Sequence, residues 1–128
     1  MFTRFANSQT GHLSPIIRPR VSHDLDFEGE LAVIIGKPGR YIARSDAWDH
    51  VAGYACYNDG SVRDFQRHTH QFTPGKNFPG TGAFGPWMMT TDEFSFRGSQ
   101  RLQTRVNGQV VQEATFDQMI FDVPRMIE

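Results

Sequence analysis

The chain has one cysteine, Cys56, which excludes an internal disulfide framework and leaves too few thiolates for a sulfur-held metal. No apolar run approaches the roughly 18 residues of a membrane span. The opening MFTRFANSQTG lacks the apolar centre of a secretory leader. Neither sign of charge dominates: 13 Lys and Arg stand against 14 Asp and Glu, for a formal net charge of -1. A nucleic-acid footprint requires a basic stripe or a high pI, and neither is present. These absences predict a reduced, cytoplasmic chain that engages no nucleic acid and no membrane. Its 128 residues fit one domain.

Glycine and phenylalanine are plentiful, with 12 and 11 residues, and Gly and Pro separate short apolar runs. That punctuation predicts a β-rich fold with functional loops, not a helical bundle. Residues Glu30 to Ile35 read as a buried strand ended by Gly36-Lys37-Pro38-Gly39, and Val51 to Asn58 as a second strand. Ser45 is placed to cap a short helix through Ala47 and Trp48. Ser61-Val62-Arg63-Asp64 fits a capping box opening a helix from Val62 to about His68. Gln71 to Trp87 reads as one long Gly/Pro loop, whose four aromatic residues argue against disorder. Leu102 to Val106, Asn107-Gly108 and Gln109 to Gln112 form a hairpin signal. Asp122 is placed as the N-cap of a helix with Pro124 in its first turn. Glu128 falls within two turns of that start, which predicts a sequence cut off there.

Three acidic residues carry the chemistry. Glu28 and Glu30 lie two apart at the head of an apolar run, so on a strand they share a face. Carboxylates so close repel unless a cation or proton lies between them. Asp59, at the next strand-to-helix junction, can add a third oxygen, and an oxygen-only set suits Mg²⁺ or Mn²⁺. Plainer readings stand beside this one. Acidic strand residues are commonly solvated, and Asn58-Asp59-Gly60 is by itself a strong turn signal. Arg63 reads as structural, Trp48, Trp87 and the phenylalanines as core, and Cys56 as an inert packing residue. His23 and His50 read as surface or satisfied core residues.

Five segments in series, DFEGELAVIIGK, VAGYACYNDGSVRDFQ, TPGKNFPGTGAFGPWMMTTDE, VNGQVVQ and MIFDVPRMIE, resemble the fumarylacetoacetate hydrolase superfamily over nearly the whole chain. The likeness is to its acylpyruvate hydrolases, 2-hydroxyhepta-2,4-diene-1,7-dioate isomerases and related decarboxylases. It implies a mixed, β-rich α+β fold: a β-roll with short helices, here incomplete, paired as a homodimer. It also implies a divalent metal, Mg²⁺ or Mn²⁺, on Glu28, Glu30 and Asp59, with Lys76 as a catalytic group beside it. Gln66 is implied as a substrate contact, and Thr81 as a residue near the metal and substrate. Lys76 can also be read as a solvated loop charge, although Gly75 lets its backbone approach closely. Of His12, His23, His50, His68 and His70, His70 is the candidate substrate contact, because it follows Gln66 by four residues and adjoins the long loop.

Family members are longer. A water-activating His-Glu pair would precede Met1, and a Gly/Thr-rich closing loop would follow Glu128. Residues 1–128 are thus expected to be the central part of a single catalytic domain, truncated at both ends. The expected function is metal-dependent C–C bond hydrolysis of acylpyruvate or fumarylacetoacetate-like β-diketo acids. The alternatives are isomerisation or decarboxylation of a 2-oxo acid on the same scaffold, or a non-catalytic metal-binding fragment. Without the His-Glu segment and the closing loop, catalysis by the isolated chain stays open.

Overall fold

A computed structural model describes residues 1–96 and 98–128. The strands in chain order are β1 (Gln9–Gly11), β2 (Leu25–Asp26), β3 (Gly29–Ile35), β4 (Val51–Asp59), β5 (Ser61–Val62), β6 (Gly82–Phe84), β7 (Met89–Thr90), β8 (Arg101–Val106) and β9 (Gln109–Thr115). The helices are short: α1 (Arg63–Gln66), α2 (Thr73–Lys76) and α3 (Val123–Ile127), with 3-10 turns at Ala6–Ser8, Arg44–His50 and Phe116–Gln118. Among the described residues, no helix is long and apolar enough to cross a membrane. The chain divides into two compact units, Met1–Glu30 with Cys56–Trp87, and Leu31–Ala55 with Met88–Glu128.

In the first unit, β6 pairs antiparallel with the end of β4, Asp59 opposite Gly82, and parallel with β1, Gln9 opposite Gly82. Strand β2 pairs antiparallel with β5, Leu25 opposite Val62. The Asp59 amide donates to the Glu28 carbonyl at 2.9 Å, which ties the approach to β3 to the end of β4. Helices α1 and α2 pack where glycine is required: a Cβ on Gly75 would lie 2.5 Å from the Gln66 amide nitrogen.

In the second unit, β4 pairs antiparallel with β7, Gly53 opposite Thr90. The core gathers Val51, Tyr54 and Val123, with Leu31, Val33, Phe94, Phe96, Met119 and Ile127 packed around them. Tyr54 stacks on Phe96 at 5.8 Å between centroids and meets Phe94 edge-on at 5.2 Å. The hairpin β8–β9 turns at Asn107 (φ 51°) and Gly108 (φ 82°), the left-handed pair its sequence signals. Asp122 caps α3 as expected, its Oδ1 accepting from the Arg125 amide at 2.9 Å, while Oδ2 accepts from Arg44 at 2.5 Å.

Several local expectations are corrected. Ser61 opens no capping box: it lies in β5, α1 starts at Arg63, and the residue at the N-cap, Val62, has an apolar side chain that makes no cap hydrogen bond. The Ser61 hydroxyl is drawn instead to Glu28 and the Asp59 carbonyl. Residues 71–87 are not one loop, since α2 and β6 lie within them. Ala43, not Ser45, precedes the 3-10 turn at Arg44–His50, and Ser45 Oγ donates to Asp46. Strand β3 is half-buried along most of its length, not buried. Cys56 is exposed and not a packing residue: the burial of β4 breaks off just after Ala55. Trp87 is 67% exposed and Trp48, Phe5, Phe72, Phe84 and Phe121 also face solvent, so the aromatic core is narrower than composition implied. His50 is buried and satisfied, Nδ1 lying 2.9 Å from the Lys37 carbonyl, and His23 is exposed.

Candidate metal centre

The site lies within the first unit. Glu28 and Glu30 flank Gly29, the first residue of β3, and Asp59 closes β4. One carboxylate oxygen from each lies within 4.8 Å of the others. Among the described residues this is the group of acids, histidines or cysteines placed to hold an ion. A cluster of three anionic oxygens, with no sulfur or imidazole, fits a hard divalent cation.

Three cations surround it. Lys76, the last residue of α2, is 1% exposed, and its Nζ donates to Glu28 Oε2 and Asp59 Oδ2, each at 2.7 Å. The same ammonium lies 4.8 Å from the centre of the Phe2 ring. Arg63 Nη1 pairs with Glu28 Oε1 and donates to Gln66 Oε1 at 2.9 Å, while its Nη2 and Nε grip Asp26 Oδ2 at 2.8 and 2.9 Å. Arg4 Nη1 pairs with Asp59 Oδ1 and donates to the Gly60 carbonyl at 3.1 Å, and Nη2 donates to Thr81 Oγ1 at 2.8 Å. Ser61 Oγ lies 3.1 Å from Glu28 Oε1 and 2.8 Å from the Asp59 carbonyl. Buried charges persist only when paired in this way.

The surroundings treat the two glutamates differently. Burial pushes the Glu28 carboxyl up, but hydrogen bonds from Lys76 and Arg63, and their charges, hold it below the usual carboxylate range. Glu30 keeps more solvent contact, yet the protein around its carboxyl desolvates it and the charges of Asp59 and Glu28 oppose its ionisation. Its pKa is raised to about 7. Such a group binds a proton or a cation readily.

Of the residues singled out in the sequence, Glu28, Glu30, Asp59 and Lys76 meet directly. Gln66 joins through Arg63, which takes its carbonyl oxygen and leaves its NH₂ as the half that donates. Thr81 is fully buried and joins through Arg4; its hydroxyl donates to the Phe78 carbonyl at 2.7 Å. His70 is exposed in the bend between α1 and α2, and no hydrogen bond or ion pair among the described residues ties it to the cluster. Arg4 and Ser61 were missed. Ser61 read as a helix cap, and Arg4 sits in a stretch whose polar residues carry no local signal.

The family model for the fumarylacetoacetate hydrolase C-terminal domain matches residues 1–128. The oxaloacetate tautomerase YisK of Bacillus subtilis is 39% identical over 130 residues, covering 100% of this chain and 43% of its own length. A fumarylacetoacetate hydrolase from Exiguobacterium antarcticum superposes with a TM-score of 0.90 at 39% identity, over 98% of this chain and 46% of its own. A maleylpyruvate hydrolase from Sphingobium sp. SYK-6, solved with a manganese(II) ion and pyruvate, superposes at 0.87 with 31% identity, again over 98% and 46%. The chain thus spans a little under half the length of these relatives, and shares their fold of mixed sheets with few short helices. With its acidic cluster, its ring of cations and a match that runs from the first residue to the last, this chain belongs to the fumarylacetoacetate hydrolase family.

Proposed function

We propose that residues 1–128 are the central part of one catalytic domain, whose Glu28, Glu30 and Asp59 hold Mg²⁺ or Mn²⁺ for enolate chemistry on 2-oxo acids. The observation that carries this reading is the convergence of the three carboxylate oxygens within 4.8 Å, beside the buried Lys76 ammonium. A divalent cation there supplies Lewis acidity toward a keto-acid carbonyl and stabilises enolate charge. Lys76 holds a fixed positive charge against Glu28 and Asp59, and faces the position where a substrate oxygen gains negative charge. Gln66, with its carbonyl oxygen fixed by Arg63, directs its NH₂ to a second substrate oxygen. In this reading Thr81 supports the site through Arg4, and His70 is a weaker substrate contact on the exposed bend.

Keto–enol tautomerisation of a dicarboxylic 2-oxo acid is the reaction favoured, because it needs only an electron sink and a proton carrier. The likeness to an oxaloacetate tautomerase supports it. C–C hydrolysis of an acylpyruvate is the second reading, supported by the likeness to a maleylpyruvate hydrolase. The experiment follows enol absorbance with Mn²⁺ present, using freshly dissolved oxaloacetate in one arm and an acylpyruvate in the other. Accelerated tautomerisation without acylpyruvate loss supports the first reading, and acylpyruvate cleavage supports the second. Turnover of neither, with Mn²⁺ bound, leaves a non-catalytic metal-binding fragment. The same proposal carries a homodimer, which sedimentation velocity measures directly.

A further inference from the structure

We propose that Arg4 is the positioning residue of Asp59, holding one carboxylate oxygen so that the other is presented to the cation site; this rests on the metal reading above. Asp59 has two oxygens with separate duties. Oδ2 meets Lys76 Nζ at 2.7 Å, the ammonium it shares with Glu28, and Oδ1 is taken by Arg4. Without a partner on Oδ1 the carboxylate is held by Lys76 alone and can pivot about that contact, so its plane is no longer fixed. Groups that orient a ligand from behind are generally worth a large share of a site's affinity.

The fold is built around this guanidinium. Arg4 is 92% buried by its side-chain exposure of 8%, and Nη1 and Nη2 are committed to Asp59, the Gly60 carbonyl and Thr81 Oγ1. Its Nε is buried with no partner among the described residues, so Arg4 is not there for complete hydrogen bonding of its own. The Tyr57 ring lies 5.9 Å from its Cζ. Gly82 leaves room for both Tyr57 and Arg4: a Cβ there would lie 2.3 Å from Tyr57 Oη, 2.7 Å from Nη2 and 2.8 Å from Cζ. Thr81, the neighbour of that glycine, is fully buried and spends its hydroxyl on Phe78 and Arg4. Only a planar, multiply donating side chain reaches Asp59, Gly60 and Thr81 at once.

The test measures Mn²⁺ affinity by electron paramagnetic resonance, without substrate, on the full chain and on Arg4→Met and Arg4→Lys. Arg4→Met is expected to bind Mn²⁺ about 10- to 100-fold more weakly, the range for groups that orient metal ligands. Arg4→Lys recovers part of the loss, because an ammonium still pairs with Asp59 but cannot also span Gly60 and Thr81. Unchanged Mn²⁺ affinity in a folded Arg4→Met chain overturns the inference. If Arg4→Met fails to fold, Arg4→Lys decides: weakened Mn²⁺ binding supports it and wild-type affinity overturns it. A wild-type chain that binds no Mn²⁺ removes the metal reading and this inference together, whereas Mn²⁺ binding indifferent to Arg4 removes the inference alone.

Discussion

Glu28 and Asp59 each pair with two cations, whereas Glu30 is joined to the cluster through a hydrogen bond with Glu28. That difference sets the pH response of the cluster. The Glu30 carboxyl has an ordinary value of 4.5 and a folded value of about 7, so between these limits the folded chain carries the extra proton. Its contribution to stability is full below 4.5 and is lost as the pH rises through 7. In a chelator, the urea midpoint is therefore expected to fall across this window, and Glu30→Gln to flatten the fall. Mn²⁺ titrations over the same range are expected to show affinity rising with pH, because the ion must displace that proton. Lys76 predicts the opposite kind of effect. Lys76→Met leaves Glu28 and Asp59 facing each other without the shared ammonium, a loss of about 3–5 kcal/mol by analogy with other broken buried pairs. Urea denaturation checks the loss, and saturating Mn²⁺ is expected to restore part of it.

At the scale of elements, glycines decide what can approach what. Gly75→Ala would drive a methyl into the Gln66 backbone, separating α1 from α2, which carries Lys76. The expected cost is about 1–3 kcal/mol, as for other overpacked contacts, read as a lower melting temperature together with weaker Mn²⁺ binding. Gly108→Ala, at φ 82°, is expected to cost about 1–2 kcal/mol with no change in Mn²⁺ affinity, since the hairpin lies in the other unit. Asn107-Gly108 and Asp122 were legible because each signal is local: a left-handed turn pair and a cap reaching three residues ahead. The closeness of Glu28, Glu30 and Asp59 was legible from their spacing and from a strand end, although Glu28 lies just before β3 and only Glu30 is on it. Ser61 was not, because its capping pattern competes with a non-local acceptor, Glu28, and the acceptor wins. The partition of 71–87 into α2 and β6 was hidden for a related reason. Strand β6 is three residues long and owes its existence to partners in β1 and β4, which no local pattern announces. Arg4 is likewise far from its partner in sequence, and only the assembled unit reveals that its guanidinium belongs to Asp59.

For the molecule as a whole, the second unit raises a question of association. Ile120, Phe121 and Met126 are 92%, 62% and 57% exposed, and an apolar surface of this kind seeks cover. If these residues take part in the proposed homodimer, Ile120→Lys shifts the sedimentation profile toward the monomer without weakening Mn²⁺ binding. A shifted profile with lost binding would instead mean that the substitution damages the fold. The first unit has a different global property. Its acids Glu28, Glu30, Asp59 and Asp26 stand against Lys76, Arg4 and Arg63, so ion pairs already offset most of the negative charge before any divalent ion arrives. A scaffold of that kind does not depend on its ion for cohesion. For the metal-bound form proposed above, exchange of one divalent ion for another is then a matter of supply and residence time, with no cycle of collapse and refolding in between.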